Sequence, residues 1–238
     1  MIDEKHVQIT IYLSLFVQIL TSLLSYDGLK YKLKEKDEVL KDVLRLELIV
    51  QLIEAIFYIW VIFALRDLNK MTPRRYIDWV ITTPTMLIST IIFMKYQEHK
   101  EKNDGTTINF KDFLKDNKQN IYRIIFLNAL MLLFGYLGET NKIDKNKSIF
   151  IGFIFFFLSF RLIYEEYGKK SILGKKLFQF LVFIWGLYGV TATFGNINKN
   201  ISYNMLDVVS KNFYGLFIYY KIKEQNKLQY KDKYITQD

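Results

Sequence analysis

Long apolar runs alternate along the chain with short polar stretches, and the length of the runs sets the kind of element. A hydrocarbon core about 30 Å thick is crossed by roughly 20 residues of helix. Seven runs of that size occur: Val7–Ser25, Val43–Leu65, Arg75–Tyr96, Asn120–Leu137, Ser148–Tyr167, Leu173–Phe194 and Ile201–Tyr220. The breaks carry turn or charge signals at Asp27-Gly28, Thr72-Pro73, Asp104-Gly105, Asn141 to Lys147, Gly168 and Gly195-Asn196. The pattern predicts an all-α integral membrane protein, a seven-helix bundle forming one domain over residues 1–238. The connection from Gln97 to Gln119 is long and charged, and Thr106–Phe110 within it is expected to form one strand of a short hairpin. Val7–Ser25 lacks the basic leader and small-residue cleavage site of a signal peptide, and further spans follow it, so it is read as the first helix.

Composition changes this picture little. Hydrophobic residues make up 51% of the chain and aromatic residues 17%. The mean hydropathy is nevertheless only +0.08, because lysine-rich connections offset the spans. The net charge of +9 would suit a nucleic-acid partner in a soluble protein. Here the basic residues flank apolar spans, where they act as topology signals, so no nucleic-acid partner is expected. With the N-terminus outside, the inner connections and tail hold more than twice the Lys and Arg of the outer ones. Lys30, Lys32, Lys34, Lys36 and Lys41 contribute to that excess, which favours an external N-terminus and a cytoplasmic C-terminus. There is no cysteine, and His6 and His99 are the only histidines. Disulfides, thiolate chemistry and multi-His metal sites are therefore excluded.

The informative residues are the ionisable ones inside the spans. Each costs about 3 kcal/mol at mid-bilayer and must face a partner or water. They are Glu54, Asp78, Asp207 and Lys211. Asp207 and Lys211 are four residues apart, one turn along one helix face. A buried amine kept near-neutral condenses with an aldehyde to a Schiff base. The alternative is an ion pair that only satisfies itself. The third span reads Arg75-Tyr76-Ile77-Asp78-Trp79-Val80-Ile81-Thr82-Thr83-Pro84, with Arg75 and Asp78 one turn apart. Pro84 is tolerated in a span because neighbouring helices and hydroxyls re-satisfy the freed carbonyl. Trp79, Trp185, Tyr188 and Tyr203 would ordinarily be packing or interfacial aromatics.

Three segments together resemble the microbial (type 1) rhodopsins: RYxDWxxTTP at Arg75–Pro84, WxxY at Trp185 and Tyr188, and LDxxxK at Leu206–Lys211. The resemblance runs over essentially all seven spans. It implies all-trans retinal held as a protonated Schiff base on Lys211, and a photoreceptor rather than an enzyme. It further implies Asp78 and Asp207 as the paired counterion, with Arg75 beneath them. Trp79, Trp185 and Tyr188 would clamp the polyene, Thr83 and Asn128 would pair between the third and fourth spans, and Gly135 would lie near the ring. Where proline usually follows the tyrosine of the sixth span, Gly189 stands.

The resemblance leaves three functions open. An outward proton pump of the archaeal type has an internal donor eleven residues after the acceptor, but that position holds Ser89, and the outer end from Gly195 to Tyr203 has no carboxylate. Features similar to the cation-conducting channelrhodopsins are Asn212 after Lys211, Glu54 in the second span and Ser14 in the first. These imply a Ser14–Glu54–Asn212 gate passing protons, sodium or potassium. Gln18, Glu47 and Gln51 add polar faces to the path. The alternative for Glu54 is a structural hydrogen bond between helices. A gate role predicts that replacing Glu54 alters current while leaving the absorption maximum nearly unchanged. The short, Lys-, Asn- and Ile-rich chain is similar to the first group of viral rhodopsins of large algal viruses. That implies a host cell membrane as its location and leaves a homo-oligomer open. A proton pump is the second expectation. A sensor acting through a separate partner is the third, because no fused signalling domain is evident.

Overall fold

The computed structural model describes residues 3–64 and 70–235. Nine α-helices follow one another among them: α1 (Glu4–Asp27), α2 (Val39–Ala64), α3 (Met71–Lys102), α4 (Phe110–Asp116), α5 (Lys118–Glu139), α6 (Lys145–Glu166), α7 (Ile172–Thr191), α8 (Asn196–Asp207) and α9 (Phe213–Ile235). A five-residue π turn, Val208–Asn212, joins α8 to α9, so that the two form one interrupted rod. Helices α1, α2, α3, α5, α6 and α7 are each long and apolar enough to cross a membrane. The α8–α9 rod packs against α1 and α2 and completes the bundle as its seventh member.

Several helices begin where side chains satisfy the first free N–H groups, whereas α3, α5 and α8 have no such cap. The Asp3 carboxylate accepts from the N–H groups of Lys5 and His6, Asp144 from that of Lys147, and the Ser171 hydroxyl from that of Gly174. Pro73 lies in the first turn of α3, a position that needs no N–H donor, so Thr72-Pro73 is inside the helix rather than in the preceding turn. The helices outrun the expected spans at most ends because polar flanks continue them beyond the apolar stretch. The fifth and sixth fall short at their ends, since α6 stops at Glu166, before Tyr167, and α7 stops at Thr191, with Phe194 in the turn beyond it. Leu65, the expected end of the second span, lies outside the described residues.

The expected hairpin strand at Thr106–Phe110 is not formed. Residues 106–109 are an irregular connection, and Phe110 opens α4. Asn109 caps that helix by accepting from the N–H groups of Lys111 and Asp112, and Phe113 buries its ring against Tyr167. The loop is pinned at its start by Asn103 and Gly105 at positive φ and by a 2.8 Å contact between His99 Nδ1 and Asp104. The His99 bond, helped by the Thr106 N–H, holds the Asp104 carboxyl below the usual carboxylate range.

The bundle presents apolar side chains outward, and a polar seam runs through an otherwise apolar interior. On α1 the buried face is Val7, Ile11, Ser14, Gln18, Thr21 and Ser25, whereas Phe16 and Leu23 point outward. Phe63 is 82% exposed and Phe150 68%, as suits side chains that face lipid. On α2 the residues Glu47, Gln51, Glu54 and Tyr58 recur at helical spacing and are all fully buried. The interior seam between α1, α2, α3 and the α8–α9 rod therefore carries the chemistry.

Candidate functional site

Lys211 stands in the π turn, 2% exposed, and reaches into the middle of that seam. Its Nζ lies 2.7 Å from Asp78 Oδ2, 3.1 Å from Glu54 Oε1 and 3.6 Å from Asp207 Oδ1. The three carboxylates come from three different helices. Asp207 is the most heavily partnered. Its Oδ1 accepts from Tyr188 Oη at 2.8 Å, and its Oδ2 accepts from Tyr58 Oη at 2.8 Å and from Arg75 Nη1 at 3.0 Å. Buried charges survive when they are paired and hydrogen-bonded in this way. Two cations, Lys211 and Arg75, face three carboxylates, so the cluster has room for one further proton.

On the other side Lys211 borders a cavity whose walls include Trp79, Trp185, Tyr188, Thr83 and Gly135. The Trp79 ring meets Tyr188 edge-on at 5.7 Å and Tyr203 at 5.1 Å, and Trp185 meets Phe160 at 5.5 Å. The Thr83 hydroxyl donates to the Trp79 carbonyl at 2.7 Å and accepts from Asn128 Nδ2 at 2.7 Å, tying α3 to α5 beside the cavity. A Cβ on Gly135 would stand 2.6 Å from Tyr76 Oη, so the glycine lets that phenol approach. A Cβ on Gly189 would stand 2.5 Å from the Phe153 ring. The ring thus packs directly against the backbone at the position where proline was expected.

The residues 7–225 match the family described as bacteriorhodopsin-like protein. The chain belongs to that family. This rhodopsin is similar in fold to several solved structures. Viral rhodopsin OLPVRII superposes with a TM-score of 0.77 at 24% identity, covering 92% of this chain and 98% of that one. A blue light-absorbing proteorhodopsin from Med12 gives 0.71 at 17% identity, with 93% and 98% covered. Halorhodopsin from Halobacterium salinarum gives 0.70 at 10% identity, with 94% and 96% covered. No curated protein matches the sequence. The rhodopsin is a multi-pass integral membrane protein of a family that binds retinal through a Schiff base to a lysine. The site fits that cofactor. An amine lines a cavity walled by aromatic rings, and its Nζ is already held among carboxylates able to balance a cation there.

Placement of the expected gate residues differs from the expectation. Ser14 Oγ donates to the Asn204 carbonyl at 2.9 Å, and Asn212 Oδ1 accepts from Thr21 Oγ1 at 2.7 Å. Ser14, Glu54 and Asn212 therefore do not form one hydrogen-bonded triad. Glu54 instead faces Lys211, so the expectation that its replacement is silent in the spectrum does not suit its position. Sequence reasoning also missed Tyr58 and Asn204, which complete the shell around Arg75 and Asp207. Tyr58 was traceable as the next member of the Glu47, Gln51, Glu54 stripe. Asn204 lies one turn before Asp207 but carried no motif.

Proposed function

We propose that this rhodopsin is a light-gated cation channel whose path follows the seam between α1, α2, α3 and the α8–α9 rod. The observation that carries this reading is a series of buried polar groups along that seam, interrupted by apolar residues towards both ends. It starts at Thr72 and Asn200, passes Arg75, Asp207, Lys211 and Glu54, and continues through Thr21 with Asn212 and Ser22 with Gln51. It ends at Glu47 with Ser89 and Asp37 with Tyr96. Both polar atoms of the Gln18 amide, Gln51 Nε2 and Asn212 Nδ2 are buried there without a protein partner. Such groups recruit water, and hydrated polar groups are what an ion needs to cross. The carboxylates favour cations over anions. The excess of basic residues on the inner connections supports an external N-terminus, and the common bundle supports a single domain spanning the chain.

Lys211 is the attachment point in this reading, with Asp78, Glu54 and Asp207 as its counter-charges and Trp79, Trp185 and Tyr188 as the walls that orient the chromophore. When bound, retinal supplies light absorption and a light-driven change of shape at the Lys211 end. Lys211 and Asp78 are close enough to exchange a proton directly between Nζ and Oδ2. Loss of that charge pair loosens the hold of Asp78 and Glu54 on α8–α9 and frees the column to hydrate.

One contact favours the second reading, an outward proton pump. Ser89, which cannot itself act as a donor, donates its hydroxyl to Glu47, a fully buried acid on α2. The acid that the third helix lacks is supplied from the helix beside it. Photocurrent under voltage clamp separates the readings. A channel current reverses with the cation gradient, whereas a pump current keeps its direction over a wide voltage range. Silence in both modes overturns both and leaves a sensor.

A further inference from the structure

Asn204 is fully buried on α8 and has more cross-helix partners than its single amide would suggest. Its Oδ1 accepts from Arg75 Nη2 and, at 3.2 Å, from Tyr58 Oη. Its Nδ2 donates to Thr10 Oγ1 at 2.8 Å, and its backbone carbonyl accepts from Ser14 Oγ at 2.9 Å. One residue thus joins α1, α2, α3 and α8, the four walls of the polar seam. All of its amide contacts lie on the N-terminal side of Lys211. Beyond them the seam is closed by an apolar cluster that includes Val7, Ile11, Phe57 and Met71. The Arg75 guanidinium spans the boundary between this plug and the carboxylates, 5.7 Å from the centre of the Phe57 ring and 5.6 Å from that of Tyr203. Asp207 holds one arm of the guanidinium, Nε has no partner, and the Asn204 amide holds the other arm.

We propose that Asn204 is the positioning residue of an outer gate. Its side chain fixes Arg75 across the seam and so sets how readily protons and cations from the N-terminal face reach the carboxylates around Lys211. The reason is geometric. An arginine held by one arm only, its Nη1 donating to Asp207 and at 3.4 Å to Tyr58, keeps a charge pair but can pivot about it. A second anchor on the same helix, itself tied to α1 through Thr10, removes that freedom. Asparagine suits the place because it accepts from a cation on one side and donates to a hydroxyl on the other without adding a charge. The groups that face Arg75 are Asp207, Tyr58 and Tyr203. Those that face Asp207 are Arg75, Lys211, Tyr58 and Tyr188, with Glu54 and Asp78 across the lysine.

The proposal rests on the seam being the ion path, and the experiment separates the two. Full-length pigment is placed in vesicles with the N-terminal face outward. The dark absorption maximum is followed after a rapid drop of external pH, because protonation of the carboxylates changes the colour. Asn204→Leu is expected to speed this response on the order of tenfold, the factor set by losing one hydrogen bond to a buried charge. Asn204→Asp, which keeps an acceptor for Arg75, is expected to stay near the wild-type rate. A wild-type rate in Asn204→Leu, or equal acceleration in both variants, overturns the proposal. If Asn204→Leu yields no pigment, Thr10→Val carries the test. It removes only the α1 anchor and should give a smaller acceleration, and an unchanged rate overturns the proposal. If the wild-type protein passes no photocurrent, the channel reading falls while the colour response still decides the role of Asn204.

Discussion

Glu54 Oε1 lies 3.1 Å from Lys211 Nζ, so the carboxylate of α2 belongs to the same charge cluster as Asp78 on α3. The residue that the sequence marks as a candidate gate stands among the carboxylates facing the amine. Any event that neutralises Lys211 is felt at once by Glu54, and through it by the stripe of polar residues one and two turns further along α2. In the proposed channel, this one distance couples gating to colour.

Neutralising either acid should therefore shift the pigment to longer wavelength, because a negative charge beside the amine stabilises the cationic ground state. Asp78→Asn is expected to give the larger shift and Glu54→Gln a smaller one in the same direction, following their separations of 2.7 and 3.1 Å. Absorption spectra of the two purified variants check this. A shift in Asp78→Asn with none in Glu54→Gln would place Glu54 outside the cluster.

Replacing Lys211 by Ala or by Arg should leave the protein colourless after incubation with all-trans retinal. Arginine keeps the positive charge among the three carboxylates but offers no primary amine for an imine. A visible band in Lys211→Arg would show that another amine carries the chromophore.

The Thr83–Asn128 bond should contribute to stability through its burial between α3 and α5. Asn128→Leu leaves the Thr83 hydroxyl with its Trp79 carbonyl acceptor but without its donor. The expected loss is about 1 kcal/mol, up to about 3 where the remaining group is left poorly satisfied. Thermal bleaching of the visible band measures it, and an unchanged bleaching temperature would argue that the bond is made only in passing.

Gly189→Ala should move the absorption maximum with only a modest loss of stability, because the atoms in the way are the far edge of the Phe153 ring, which also lines the cavity. Phe153→Leu in the same chain is expected to relieve the contact and restore stability. If the double variant is no more stable than Gly189→Ala alone, the ring is not what limits that position.

Glu47→Gln should leave the colour nearly unchanged, because Gln51 and Glu54 lie between it and Lys211 along α2. If the pump reading holds, the variant should slow recovery of the resting pigment after a flash by tenfold or more, a typical contribution of a positioned acid. In a channel that does not use this acid, recovery keeps its rate while the current changes. Flash spectroscopy and photocurrent, measured on the same variant, decide between them.

Run length alone revealed the seven spans, because crossing about 30 Å of hydrocarbon is a one-dimensional requirement that a sequence carries openly. The rare charges inside those spans were equally legible. A carboxylate or amine in lipid is expensive enough to mark itself, and Asp78, Asp207 and Lys211 fall together in the structure. The region of Thr106–Phe110 misled because its β-branched residues read as strand, whereas the Asn109 cap starts a helix and no partner strand lies beside it among the described residues.

What the chain determined by itself was local: which segments enter the membrane and which residues within them carry charge. Which of those charges meet was decided only by the packing of α1, α2, α3 and α8–α9 around one seam. Helix spacing places Glu54 on a face but does not say that the face turns toward Lys211, and it gives no sign that Asn204 bridges four helices. Those contacts join residues well over a hundred positions apart, and their distances depend on helix rotation and crossing, which periodicity within one helix does not specify.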